Sequence, residues 1–297
     1  MKRKREDQLH LVAGRYRALH EALLSDGDIT EQRVLTNQVR DALDRMSTEL
    51  APSPPLLIAN SFWLDGILHD GETTQVLQLL HRDFDDRFAL KTIHPRHAES
   101  PDARKRLLRE SIILSRIHHP CVIRHHIALR LDDGRPGLLL ELSGPSLAVS
   151  TRTYSANNIL ELMQSLLAGL TVVHEAGYVH ADICPANLLT MTEEGNALKI
   201  ADFGISIPLG TTHEAAGYSR AFTPDFTAPE QIAGKPLDER SDIYAAGRVL
   251  AFLLYHSTAS DSDSANFHRI ITRFTAIEPE RRPASCLQAH TILHSKA

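Results

Sequence analysis

Two short stretches of the chain carry side chains of the kind that do chemistry. In His180-Ala181-Asp182-Ile183-Cys184-Pro185-Ala186-Asn187 a carboxylate and an amide stand five residues apart, and in Asp202-Phe203-Gly204 a second carboxylate follows the apolar run 197–201. Phosphoryl transfer needs such a set. One carboxylate orients the attacking hydroxyl and accepts its proton, while a second carboxylate and an amide oxygen hold the magnesium that neutralises the phosphates. Each stretch alone is a weak signal, because a loop Asp is most often a solvated carboxylate.

Such residues act only if rigid elements hold them. Runs rich in Ile, Leu and Val at 56–64, 76–80 and 87–93 predict strands, and a helical pattern covers 101–117. The runs 122–131 and 137–142 flank the turn Asp132-Asp133-Gly134 and predict a hairpin. Beyond Asn157 the pattern is mainly helical, interrupted by a polar loop at 257–264. Strands first and helices later give an α+β class. Upstream, Leu9, Val12, Tyr16, Leu19 and Leu23 form one helical stripe and Val34, Val39, Leu43, Met46 and Leu50 another. Asp26-Gly27-Asp28 breaks them, and Asp28 with Glu31 reads as a capping box opening the second helix. Ala51-Pro52-Ser53-Pro54-Pro55 ends this hairpin, since proline cannot continue a helix. The organisation expected is a helical extension over 1–50, a linker over 51–56 and a main domain over 57–297.

Composition narrows the function classes. With 42% hydrophobic residues in 297, the chain can bury a sizeable core. Its 32 Lys and Arg against 37 Asp and Glu leave a net charge of −5, which offers no general attraction to nucleic acid or an acidic membrane. Three dispersed cysteines fit neither a disulfide framework nor a zinc site and point to a reducing compartment. No apolar run approaches the roughly 18 residues of a membrane span. The start MKRKRED is not followed by a signal-peptide core, so a cytoplasmic protein is expected, with secretion by a signal-free route left open. Among the 17 histidines, His118, His119, His125 and His126 look like ligand pairs, but their excess reads as structural.

Taken together, the two chemical stretches resemble the eukaryotic-like protein kinase superfamily, bacterial serine/threonine kinases in particular, along roughly 240 residues. The resemblance implies a bilobal fold, with a β-rich lobe over about 57–142 and a helical lobe over about 143–297. Phe88-Ala89-Leu90-Lys91 looks like the third strand, whose Lys grips the nucleotide phosphates, and Glu110 resembles the helix glutamate that positions it. By the same resemblance Asp182 orients and deprotonates the acceptor hydroxyl, and Asn187 and Asp202 bind magnesium. The run 139–147 resembles the connector between lobes. Leu140 then stands as gatekeeper, the backbone around Glu141 and Ser143 meets adenine, and Val76, Ala89 and Leu189 sandwich the purine. Thr227-Ala228-Pro229-Glu230 resembles the end of the activation segment, Asp242 a residue of the core helix of the large lobe, and Arg282 the partner of Glu230 in a buried ion pair.

The chain departs from the family where phosphate is handled. Of the glycine-rich loop, His69-Asp70-Gly71-Glu72-Thr73-Thr74-Gln75-Val76 keeps only Gly71, and Asp70 and Glu72 repel phosphate unless they face solvent. Ala181 stands where most members have the Arg that receives an activation-segment phosphate, which implies activity without that phosphate. Cys184 replaces a Lys that contacts the γ-phosphate. Thr223 matches the threonine by which serine/threonine kinases brace the catalytic Asp. Between Asp242 and Arg282 the chain is short, so a docking helix is expected to be reduced or absent. The expected function is transfer of the γ-phosphate of Mg-ATP to Ser or Thr of a protein substrate. The partners are ATP and that protein, with no nucleic acid or membrane, and residues 7–50 offer a contact for a partner or dimer. The rival is a pseudokinase, a scaffold with little catalysis; a kinase of small molecules is a third reading.

Overall fold

The computed structural model describes residues 61–191, 196–218 and 223–294, together with Gly14. Apart from Gly14, the helical hairpin over 7–50 and the linker over 51–56 lie outside the described residues. The described chain falls into two units, 61–65 with 80–85, and 66–79 with 86–294. In the first, the Arg82 guanidinium lies 3.7 Å from the centroid of the Trp63 ring, and His81 meets Phe62 edge-on at 5.0 Å. The second carries every site residue named above.

One sheet takes five strands, β1 (Phe62–Asp70), β2 (Thr74–His81), β3 (Arg87–Ile93), β4 (His125–Arg130) and β5 (Pro136–Glu141), in the order β1-β2-β3-β5-β4. Antiparallel pairing sets Ala89 opposite Leu140 and Lys91 opposite Leu138. The predicted hairpin over 122–142 is β4 and β5, and the third predicted strand coincides with β3. The first strand does not match its prediction of 56–64. Of the predicted range, 56–60 lie outside the described residues, and the strand runs from Phe62 on to Asp70 with Phe62 its one buried residue.

Helix α1 (Pro101–Leu114) opens on Ser100, whose side chain accepts from the Ala103 amide, with Pro101 in the first turn, where its missing N–H costs nothing. It ends three residues before its predicted limit of Ile117. Leu107, Glu110 and Leu114 recur at three and four residues and therefore share the buried face. Helix α2 (Ala156–Glu175) opens with a capping box between Ser155 and Asn158. Its Leu162, Met163, Leu166, Leu167, Leu170 and Val173 are fully buried or nearly so, each stabilising the core by about 1.5–3 kcal/mol.

Short strands follow: β6 (Tyr178–Val179), β7 (Leu188–Thr190), β8 (Leu198–Ile200) and β9 (Ile207–Pro208), paired β6 with β9 and β7 with β8. They hold the loops that bear Asp182 and Asp202. The remaining helices are α3 (Pro229–Ile232), α4 (Glu239–Tyr255), α5 (Asp261–Phe274) and α6 (Cys286–His294). The polar run 257–264 is only half a loop. Ser260 caps α5 by accepting from the Asp263 amide, so the acidic residues after it form a first helical turn, favoured by the helix dipole. Between α4 and Arg282, α5 is the one α-helix among the described residues, in keeping with the shortened segment. No described helix is long and apolar enough to cross a membrane.

Candidate active site

Lys91 projects from β3, almost fully buried, and its Nζ lies 2.7 Å from Glu110 Oε2, 3.0 Å from Glu110 Oε1 and 2.9 Å from Asp202 Oδ1. Burial disfavours its charge, but Asp202 and Glu110 outweigh this and hold the ammonium above its ordinary range. Two carboxylates share one cation, and the surplus is visible in their titration. Burial, with the charge of Asp202, pushes Glu110 up against the pull of Lys91. Asp202 is also opposed by burial, yet Lys91 and the Gly204 amide keep it below the usual carboxylate range.

Asp182 sits in the loop after β6. Its Oδ1 accepts from Thr223 Oγ1 at 2.8 Å and its Oδ2 from Asn187 Nδ2 at 2.9 Å. Asn187 Nδ2 also donates to the Asp182 carbonyl at 2.8 Å, which leaves the amide oxygen as acceptor for a further group. Burial pushes the Asp182 carboxyl up, and the repulsion of Asp202 adds to it against the hydrogen bond from Thr223.

Two non-glycine residues here, Ala181 and Asp202, have φ of 65° and 63°, a left-handed backbone that side chains rarely adopt. Asp242, buried in α4, holds the first of them. Its carboxylate accepts from the His180 amide at 2.8 Å and the Ala181 amide at 2.9 Å, and from His174 Nε2 at 2.8 Å. Burial opposes charge on His174, but Asp242, Cys286 and Glu239 push its pKa up to about 12. An imidazolium therefore neutralises the carboxylate that suspends the catalytic loop.

Lys91, Glu110, Asp182, Asp202 and Thr223 line one cavity of about 210 Å³, with Thr73 and Thr74 from the β1–β2 turn. Gly71 closes that turn, donating its amide to the Thr74 carbonyl at 3.0 Å. A Cβ there would stand 2.9 Å from the same oxygen, so only glycine fits. Asp70 lies 3.5 Å from His94 Nε2, and neither Asp70 nor Glu72 lines the cavity. The repulsion of phosphate anticipated from them is thereby relieved.

The residues expected around the purine do not line this cavity. Ala89 and Leu140 belong to the main core, with Val76, Leu142 and Leu189 packed against it. The Glu141 side chain is turned to the Arg124 amide at 2.6 Å and to Lys199 at 2.8 Å. Ser143 Oγ and the Gly144 amide both donate to the Thr190 carbonyl, at 2.7 and 2.8 Å, which pins the connector to β7.

The anticipated pair of Arg282 and Glu230 is present and buried, with two bonds of 2.7 and 2.9 Å. Arg282 also donates to the carbonyls of Ala276, Ile277 and Arg240, so its guanidinium organises a whole corner of the helical region. Cys184 is buried, and burial with the nearby Asp182 charge pushes its thiol up, the opposite of a reactive cysteine. His119 Nδ1 accepts from the Cys121 amide in a turn, and His180 packs edge-on against Phe203 at 4.6 Å. No group of three or more His, Cys, Asp or Glu among the described residues is placed to hold a metal. Nothing in residue spacing marks His174, whose role comes from Asp242, 68 positions away.

Residues 64–291 match the family model of the protein kinase domain. The serine/threonine-protein kinase pkn3 of Myxococcus xanthus is 29% identical over 220 residues, covering 70% of this chain and 40% of that protein. The probable serine/threonine-protein kinase PknB of Corynebacterium glutamicum is 30% identical over 207 residues, 65% of this chain and 31% of that one. The chain thus spans well under half the length of these curated relatives. Among solved structures, the kinase domain of Mycobacterium tuberculosis PknI superposes with a TM-score of 0.59 at 22% identity, covering 78% of this chain and 95% of that one. That likeness bears on the fold. The chain belongs to the protein kinase domain family.

Proposed function

We propose that this chain is a serine/threonine protein kinase that moves the γ-phosphate of ATP to a hydroxyl of a protein substrate. The observation that carries the reading is the cavity where Lys91, clamped by Glu110 and Asp202, faces Asp182, braced by Thr223 and Asn187. Lys91 holds the nucleotide phosphates, and Glu110 keeps its flexible stem from wandering. Asp182 accepts the proton of the attacking hydroxyl, and its raised pKa suits a base better than an ordinary carboxylate does. The bond from Thr223 ties that base to the segment on which a Ser or Thr substrate would lie. Val76, Ala89, Leu140 and Leu189 supply apolar contacts for the purine, with the backbone at Glu141 and Ser143 for its edge.

Magnesium suits the residues present: the site has a surplus of carboxylate over cation, and Asn187, whose amide nitrogen is held by Asp182, keeps its amide oxygen as an acceptor. With so few protein ligands, the phosphates must complete the coordination. When bound, the metal neutralises charge on the phosphates. We assign the kinase domain to 57–297, its lobes meeting near 142–143, and place the protein in the cytoplasm.

The pseudokinase reading is favoured by one observation, the neutral buried thiol of Cys184 where a cation would contact phosphate. Transfer from labelled Mg-ATP, compared between wild type and Asp202→Asn, separates the two. The kinase reading expects incorporation that falls at least a hundredfold in the variant. Equal incorporation would mean contamination, and folded wild type that transfers nothing is a scaffold.

A further inference from the structure

The alanine at 181 leaves a question that the catalytic residues do not answer: what holds the activation segment, if no arginine is there to receive a phosphate. Ala181 lies in a small buried apolar cluster with Val179, Ile207, Leu237 and Tyr218, separate from the main core. Tyr218 comes from the activation segment and is only 6% exposed. Its hydroxyl is buried, and Arg109 stands close enough to it to oppose the upward push of burial on its pKa, so the residue is held by its ring and by that guanidinium. The surroundings of Ala181 are therefore filled by a hydrocarbon ring, and a phosphate would be desolvated there with nothing opposite it on that side.

The other side of the ring faces α1. The Arg109 guanidinium lies 4.9 Å from the ring centroid and that of Arg106 5.8 Å, both within cation–π range. Arg109 Nη1 also donates to the Ala216 carbonyl at 3.1 Å. A Cβ on Gly217, whose φ is 77°, would stand 3.0 Å from Lys105 Nζ, so a third cation of the helix reaches the same segment. Arg109 is the neighbour of Glu110 in sequence, and Arg106 lies one turn before it and lines the cavity. Anything that fixes these arginines fixes the rotation of α1 and hence the approach of Glu110 to Lys91.

We infer that Tyr218 is a positioning residue: its ring, seated against Ala181 and clasped by Arg106 and Arg109, locks the activation segment to α1 and holds the Lys91–Glu110 pair without phosphorylation. The lock is apolar and cation–π, in keeping with the activity without a phosphate that Ala181 leads one to expect. It rests on the kinase reading only for its catalytic consequence. The contact itself is testable on a protein of any activity.

Three substitutions dissect the ring. Tyr218→Phe keeps ring and cation–π contact and loses only the hydroxyl near Arg109, so it retains most of the lock and stays closer to wild type than the other two. Tyr218→Leu keeps apolar volume but not the π face, and Tyr218→Ala keeps neither. Hydrogen exchange read by mass spectrometry reports the lock directly: peptides over 101–114 and 212–218 exchange faster by about tenfold in Leu and by more in Ala, as expected for losing a desolvated cation–π pair. Peptides of α2 and α4 exchange as in wild type. In steady-state kinetics kcat falls in the same order, with nucleotide still bound at one site per chain, which separates mispositioning from loss of folded protein. Phosphatase treatment leaves wild-type kcat unchanged.

Unchanged exchange over 101–114 in Tyr218→Ala overturns the lock. So does a wild-type kcat that collapses on dephosphorylation, or phosphotyrosine at 218 in the active protein. If wild type transfers no phosphate, the kinase reading fails by itself, and the exchange measurements still decide the lock.

Discussion

The imidazolium of His174 makes a quantitative demand on stability. The ring is buried in α2 between Asp242, at 2.8 Å, and Glu239 and Cys286, each at 3.6 Å, and its pKa is raised to about 12. In the unfolded chain a histidine titrates near ~6.5. A group raised on folding stabilises fully below its unfolded pKa, and that stability is lost as pH rises toward the folded value. Between the two, the native state holds one proton more than the unfolded state, so unfolding free energy falls by about 1.4 kcal/mol per pH unit. From pH 7.0 to 8.5 His174 alone removes about 2 kcal/mol, and unfolded thiols, which titrate near ~8.5 and are raised in the folded protein, add to the loss near the top of that window. Any folded pKa above about 9.5 gives the same slope, so the result does not hinge on the top of the range. Urea unfolding at closely spaced pH values measures this, and in thermal scans it corresponds to a Tm lower by roughly 4–8 °C. His174→Gln removes the titration and flattens the slope, at a cost of about 3–5 kcal/mol for leaving Asp242 uncompensated. Should that variant not fold, Glu239→Gln retains the Asp242 pair and the full slope. A wild type whose stability is level from pH 7.0 to 8.5 refutes a charged His174.

Other expectations follow from the same geometry. The raised pKa of Asp182 puts the acid limb of the kcat–pH profile above the ordinary carboxylate range, and activity is lost as pH falls through it. Thr223→Val, which removes a bond that favours the carboxylate, moves that limb higher still. Glu230→Gln leaves Arg282 buried beside a neutral partner and lowers stability by about 3–5 kcal/mol, seen as a Tm drop on the order of 10 °C. Gly144→Ala drives a Cβ into Thr190 Oγ1, prising the connector from β7, and raises KM for ATP more than it lowers kcat. Cys184 and Cys286, both buried with raised thiol pKa, resist iodoacetamide in native protein at neutral pH, as alkylation followed by peptide mass spectrometry would show.

How much of this was legible beforehand follows from where the information resides. The strand β3, the hairpin of β4 and β5 and the start of α1 are written in local residue order, and the sequence places them within a few residues. The first strand runs past its predicted end because 65–70 is largely exposed and carries no sustained apolar run to mark it. Lys91, Glu110, Asp182, Asn187 and Asp202 were legible as spaced motifs, and the structure brings these five to one place. The core pair of Arg282 and Glu230 was legible only through family resemblance, because nothing local links positions 52 apart. His174 and Tyr218 were invisible. A histidine on an apolar helix face and a tyrosine in a loop acquire meaning from residues 68 positions away, in one case, and from a separate helix in the other. Tertiary partners confer their roles, and sequence spacing does not encode those partners.

The departures from the family pattern share a physical direction. Ala181 removes one cation, Cys184 another, and the side chains of the thinned glycine turn stand between its amides and a phosphate, whereas every carboxylate of the site is kept. The cavity then holds Glu110, Asp182 and Asp202 against Lys91, with Arg106 at its edge committed to the Tyr218 ring. In an apolar protein such an imbalance is tolerated only where something answers it. Part of the answer is internal: Lys91 serves two carboxylates, and Thr223 and Asn187 disperse the charge of the third by hydrogen bonds. The same surplus makes Asp182 more basic and leaves Asp202 the stronger anion, which suits the proposed tasks, accepting a proton for the one and holding a cation for the other. Division of labour between them thus comes from unequal shares of a single lysine.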